Sequence, residues 1–168
     1  MFKEQVLTLR ISLQKHAKPE TKVWWENYVK NSAPFMGVKM PVIRTVLHRW
    51  HKENVEGKIE YPEQLDLSLA LFAGKYTEEK LAGTLFLQEI LIPSRAIKCL
   101  RDINRFAALF AGGRICDWNI CDWFCVKVLG PLIEENGLAC ANSYLHVAHC
   151  RESLAGSCFI GCFCQSGR

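Results

Sequence analysis

Apolar residues in this chain recur at spacings of three and four, which places them along one face of an α-helix. Val6, Leu7, Leu9, Ile11 and Leu13 open the pattern, and the helix they form runs to about His16, with Pro19 stopping it. A second helix fits residues 21–31, with Thr21 as its N-cap and Val23, Trp24, Trp25 and Tyr28 available for its apolar face. Pro34 and Gly37 make residues 32–38 a loop. Pro41 then suits the first position of a third helix, where its missing N–H costs nothing, and Val42, Val46, Leu47 and Trp50 form that helix's buried stripe. After a charged connection, the spacing predicts helices over residues 62–73, 77–90, 93–111 and 118–135. Glu78 and Glu79 supply an acidic first turn, Gly112 and Gly113 a stop, and Gly130 and Pro131 a local adjustment in the last of these helices. Gly137 marks a turn. A further helix runs to about residue 148, and another starts near Arg151.

No run alternates apolar and polar residues between Asn-Gly or Asp-Gly turns, so no strand is expected. Helices joined by short loops pack as antiparallel pairs, and stacked pairs give an α-solenoid or a compact bundle. At 168 residues the chain is the size of a single domain spanning residues 1–168, able to bury roughly 70% of the surface it exposes when unfolded. The longest apolar runs, near residues 67–73 and 106–111, are far shorter than the ~20 residues a membrane span needs. The N-terminus places Glu4 early and lacks the basic start and apolar stretch of a signal peptide. The reading is therefore a non-secreted, cytoplasmic or nuclear protein with no membrane span.

Two compositional features bear on function. Nine cysteines is an odd count, so at least one stays unpaired, and in a reducing compartment they behave as small buried hydrophobes. The alternative is a zinc site drawn from His146, His149, Cys150, Cys158, Cys162 and Cys164, although no pair of CxxC knuckles is present. The net charge of +4 is uneven: residues 1–50 hold nine Lys/Arg against three Asp/Glu. That basic first third suits a surface facing phosphates, or simply solvates helices. The last residues, 156–168, are apolar and dotted with glycine, like a helix without its packing partner.

The segment most suggestive of chemistry is Asp117-Trp118-Asn119-Ile120-Cys121-Asp122-Trp123. Trp118 and Asp122 are four apart and share one helical face. An aromatic plane beside a carboxylate attracts a cation, through the ring quadrupole and the full negative charge. A core tryptophan with a capping aspartate would give the same residues.

Three stretches resemble the HEAT-like-repeat DNA glycosylases, the AlkD-type alkylpurine enzymes. Residues 28–44, containing Tyr28, Lys30, Phe35, Gly37, Val38, Pro41 and Arg44, resemble an early motif of that family. Trp118 through Asp122 resembles its W-x-x-x-D active-site helix, and Arg151-Glu152-Ser153 the start of a later helix. The similarity spans about residues 1–160. It implies an all-α fold of HEAT-like helical repeats, an α-solenoid of antiparallel helix pairs. It also implies an enzyme that hydrolyses the N-glycosidic bond of cationic N3- or N7-alkylated purines in double-stranded DNA. By the same resemblance Asp122 stabilises the oxocarbenium-like state, Trp118 packs on the sugar or base, Arg151 holds a phosphate near the lesion, and Lys39 and Arg44 touch backbone phosphates. No cofactor is implied, because an activated glycosidic bond needs only water and charge. Members of the family continue with further helix pairs and a second active-site tryptophan, so the chain is expected to be cut short at its C-terminus. The competing reading is a non-catalytic helical-repeat module that binds DNA or protein.

Overall fold

The structure, a computed structural model, describes residues 2–137 and 142. Among these residues every regular element is helical and no strand occurs, as the sequence periodicity predicts. No helix among the described residues is long and apolar enough to cross a membrane. The chain divides into two compact units, the first ending at Leu91 and the second beginning at Ile92.

The first unit contains α1 (Lys3–Gln14), α2 (Pro19–Tyr28), α3 (Met40–Asn54), α4 (Tyr61–Leu71) and α5 (Thr77–Phe86). Its core is built from Leu9 and Leu13 of α1, Ile43, Leu47 and Trp50 of α3, Leu65 and Leu71 of α4, and Leu85 and Phe86 of α5, all with almost no exposure. Burying each such side chain contributes about 1.5–3 kcal/mol. Trp50 packs edge-on against Phe86 at 6.0 Å and donates its indole N–H to the Gln5 carbonyl at 3.1 Å, so even its polar atom is satisfied. Helix α5 is the most enclosed element: nine of its ten residues are buried. It packs against both α3 and α4. That close approach depends on Gly83, because a Cβ there would lie 2.8 Å from the Phe72 ring and 3.0 Å from the Ser68 carbonyl.

Three boundaries differ from those expected from spacing. Helix α2 begins at Pro19, with Lys18 in extended backbone as its cap position, so Thr21 lies inside the first turn and caps nothing. Proline at N1 gives up no hydrogen bond and has a helix-ready φ, which favours the earlier start. In α3 the buried stripe runs through Ile43, Val46, Leu47 and Trp50, and Val42 is only half-buried. The second unit's first helix, α6 (Cys99–Ala111), starts at Cys99 and not at Pro93. Residues 92–95 form a turn closed by the Arg95 N–H on the Ile92 carbonyl, with Arg95 at φ +56.

Helix α7 (Trp118–Phe124) follows, and the chain remains helical from residue 125 to residue 137. Phe124 of α7 sits edge-on to both Phe106 and Phe110 of α6, each at 5.7 Å, and this aromatic trio centres the second unit's core. Two five-residue π-helical segments, Leu87–Leu91 and Cys125–Leu129, each end two residues before a proline, Pro93 or Pro131. A proline ring clashes with the carbonyl four residues earlier, here that of Glu89 or Lys127. Widening the last turn to π geometry relieves the clash. The adjustment expected at Gly130-Pro131 thus occurs in the turn just before it.

Candidate active site and DNA-facing residues

Asp117 caps α7. Its backbone is extended (φ −112, ψ 151), and its Oδ1 accepts the Ile120 backbone N–H at 3.0 Å. The side chain is buried, and its Oδ2 has no hydrogen-bond partner among the described residues. Ile120, Cys121 and Phe124 turn the apolar side of the helix into the core. That rotation leaves Trp118 and Asp122 on the exposed side, one turn apart, with Trp118 45% exposed. The reading of a core tryptophan beside a capping aspartate holds for one of the two residues. Asp117 is the capping aspartate, whereas Trp118 is not a core tryptophan. An exposed indole face and an exposed carboxylate on one helical face can together receive a cationic ring.

In the first unit, Lys39 is exposed at the N-cap of α3. Arg44, about one turn further on, is partly exposed and engaged by a carboxylate of the same unit: its Nε donates to Glu89 Oε1 at 2.7 Å. His48 meets the other oxygen of Glu89, also at 2.7 Å. Partial burial would raise the Glu89 carboxyl. The hydrogen bonds from His48 and Arg44, with their charges, outweigh that effect and hold it below the usual carboxylate range. Glu89 occupies the first π-helical segment, so the widened turn before Pro93 is what presents it to α3.

The loop that carries Lys39 is fixed by a residue the spacing did not single out. Glu78, fully buried at the start of α5, accepts three backbone N–H groups: Met36 at 2.8 Å, Gly37 at 2.7 Å and Val38 at 3.0 Å. A carboxylate held by successive N–H groups is the intramolecular form of an anion nest. Its neighbour Glu79, also buried, accepts from Arg10 Nε at 2.8 Å and from the Tyr76 N–H at 3.1 Å. The acidic first turn of α5 is thus a pair of buried clamps. The sequence signal was present in Phe35-Met36-Gly37 and in Glu78-Glu79, but nothing in their spacing joins residues forty apart.

The family model described as DNA alkylation repair enzyme matches residues 9–149. The chain belongs to that family. No curated protein and no solved structure gives a significant match. Membership gives this DNA alkylation repair enzyme a role in DNA repair, with DNA as its partner.

The fifth expected site residue of this family member, Arg151, lies outside the described residues, as do the His146, His149, Cys150, Cys158, Cys162 and Cys164 considered for zinc. Among the described residues, no group of three or more His, Cys, Asp or Glu side chains is placed to hold a metal ion. Among the described residues Cys121 and Cys125 are buried thiols, as expected of small apolar side chains, whereas the Cys116 thiol is exposed. Trp50 is core, as expected. Trp25 is half-buried, and Trp24 is 58% exposed, contrary to the expectation that it packs inside.

Proposed function

We propose that this DNA alkylation repair enzyme is a glycosylase that hydrolyses the N-glycosidic bond of cationic N3- or N7-alkylated purines in double-stranded DNA. The observation that carries this reading is the pairing of Trp118 and Asp122 on the exposed side of a helix whose N-terminus Asp117 caps. In such a reaction the C1′–N bond breaks with its electron pair going to the base, which leaves neutral. Positive charge builds on the deoxyribose, and water adds to C1′ and releases a proton. Asp122 would stabilise the developing charge and orient the water, a preorganised electrostatic role. Trp118 would lie against the sugar or the cationic ring. Lys39 and Arg44, and Arg151 in the later segment, would neutralise backbone phosphates without reading sequence.

The test is release of alkylated base from methylated duplex DNA by the full chain and by Asp122→Asn. Release that falls by about a hundredfold or more in the variant supports the proposal. Salt-sensitive DNA binding by both proteins with release by neither would instead support the non-catalytic binding module.

A further inference from the structure

Helix α2 buries none of its residues, although its sequence includes Val23, Trp24, Trp25 and Tyr28. Val23 and Trp24 are more than half exposed, and Tyr28 nearly half. A contiguous exposed patch of large apolar side chains is a common mark of a binding surface. These rings are also ordered relative to one another. Trp25 lies parallel to Phe35 at 5.5 Å, which ties it to the small cluster of Val29, Ala33 and Phe35. Trp24 meets Trp25 edge-on at 4.8 Å and stacks on Tyr28 at 5.3 Å, with only 8° between the planes. The exposed pair is therefore braced from beneath by a half-buried ring.

Beside this platform a groove of about 610 Å³ opens between α2 and the start of α3, lined by Glu20, Trp24, Trp25, Lys39, Met40 and Pro41. That volume is in the range of small-ligand sites. Its charge is set by the loop that Glu78 holds. The loop places exposed Lys39 on one side, and the Gly37 carbonyl accepts the N–H of exposed Lys18 at 3.0 Å. A Cβ on Gly37 would touch exposed Lys22 as well as Lys18. Lys39 is the cation lining this largely flat-walled groove, which lies in the first third of the chain, where the basic excess is.

A flat aromatic wall with a lysine at its edge matches one ligand chemistry, a planar base attached to a phosphate. Every base offers a π-face, and lysines follow the backbone, which is how proteins hold unpaired nucleic acid. A base inside a duplex has both faces covered by its neighbours and gains nothing from such a wall. We propose that the α2–α3 groove takes an unpaired base of DNA, stacked on the Trp24 side, with its phosphate against Lys39. This rests on the reading that the chain works on DNA, and it is independent of whether Asp122 performs chemistry. Glu20 adds an acceptor at the same groove for a base's exocyclic amine.

The experiment measures binding of the full chain to a duplex carrying one bulged thymidine and to the same duplex fully paired. The proposal expects tighter binding to the bulged duplex. Trp24→Ala should lose that preference by roughly five- to a hundredfold while still binding the paired duplex as the native protein does. Trp24→Phe, which keeps a ring, should retain most of it. Lys39→Ala should weaken binding to both duplexes and lower the salt slope by about one. A native protein that binds both duplexes equally overturns the proposal and leaves DNA binding standing. Trp24→Ala with an undiminished preference, as expected if the groove takes a peptide, overturns it too. Failure to bind either duplex overturns this inference together with the DNA reading beneath it. Base release in the Asp122 test is a separate readout that none of these outcomes decides.

Discussion

The carboxylate of Glu78 accepts the backbone N–H of Gly37 at 2.7 Å, across forty-one residues of sequence. The N–H groups of Met36 and Val38 complete the set, so one side chain on α5 fixes the course of the loop that leads into α3. Replacing Glu78 with Gln removes the negative charge and turns an amide N–H₂ toward groups that are themselves donors. A buried donor left unsatisfied costs about 1–3 kcal/mol, so Glu78→Gln should destabilise the protein by about 3 kcal/mol. Thermal unfolding checks this, and a melting temperature within a degree or two of the native value would contradict it.

Gly37 itself tolerates no side chain. Its φ of +99 lies where L-residues are strained, and a Cβ would come 2.3 Å from the Lys18 carbonyl oxygen, a backbone atom that cannot swing aside. Gly37→Ala should therefore cost more than about 3 kcal/mol, a larger loss than Gly83→Ala, where the nearest atom belongs to the Phe72 side chain. Chemical denaturation of the two variants side by side ranks them.

The Arg44–Glu89–His48 cluster makes stability depend on pH in a specific direction. The folded-state pKa of Glu89 lies below its ordinary 4.5, so ionised Glu89 stabilises the fold above that value, and the contribution fades as pH falls through the lower, folded value. Because Arg44 is 41% exposed, the effect is screened and amounts to about 0.5–1 kcal/mol. Glu89→Gln should be less stable than the native protein at neutral pH, and the two should converge in acid. The same variant leaves the Arg44 guanidinium without its carboxylate. If Arg44 contacts phosphate, Glu89→Gln should bind DNA more tightly at low salt, and Arg44→Ala more weakly. Titrations of both variants at two salt concentrations decide the matter.

A second buried acid makes an independent prediction in the other unit. Burial would raise the Asp102 carboxyl, but hydrogen bonds from Arg101 and from the Lys98 N–H, with the charges of Arg101 and Arg105, hold it below its ordinary 3.8. Asp102→Asn should cost about 1.5–3 kcal/mol at neutral pH, chiefly through the lost charge-assisted hydrogen bonds from Arg101. That deficit should begin to shrink as pH falls below about 4, where the unfolded carboxylate takes up its proton, and vanish below the lower, folded value, where the native one is protonated as well. A deficit that stays constant down to pH 2, followed by far-ultraviolet circular dichroism, would contradict it.

The elements were legible in the sequence because three- and four-residue spacing is a local signal, and it correctly gave an all-helical chain. The Trp118/Asp122 face was legible for the same reason, since both residues lie within one turn of one helix. Long-range pairings were not. Glu78 reads as an ordinary acidic helix start, and its burial depends on a loop forty residues away. Arg44 reads as a solvated cation, and its partner Glu89 is set by a π-turn that only Pro93 explains. Trp24 matches its helix's apolar face, yet that face meets no core, because Phe35 and Val29 occupy only the Trp25 side. Hydrophobic pattern names the residues able to pack together without fixing which of them find a partner.

Asp117 offers the sharpest separation between holding the site and belonging to it. Its Oδ1 caps α7 through Ile120, one turn before Asp122, so under the proposed chemistry its role would be to position that helix. Asp117→Ala removes the cap and should cost about 0.5–2 kcal/mol. It should also lower base release, because Trp118 begins the helix whose first turn would then fray. Serine restores the capping oxygen without the charge. If positioning is the whole role of Asp117, Asp117→Ser should recover both stability and release, whereas the release lost in Asp122→Asn should not follow stability at all. Should Asp117→Ser recover stability while release stays low, the second carboxylate oxygen, buried and without a partner among the described residues, acts on the reaction directly. Measuring melting temperature and base release on the same four proteins separates the two roles.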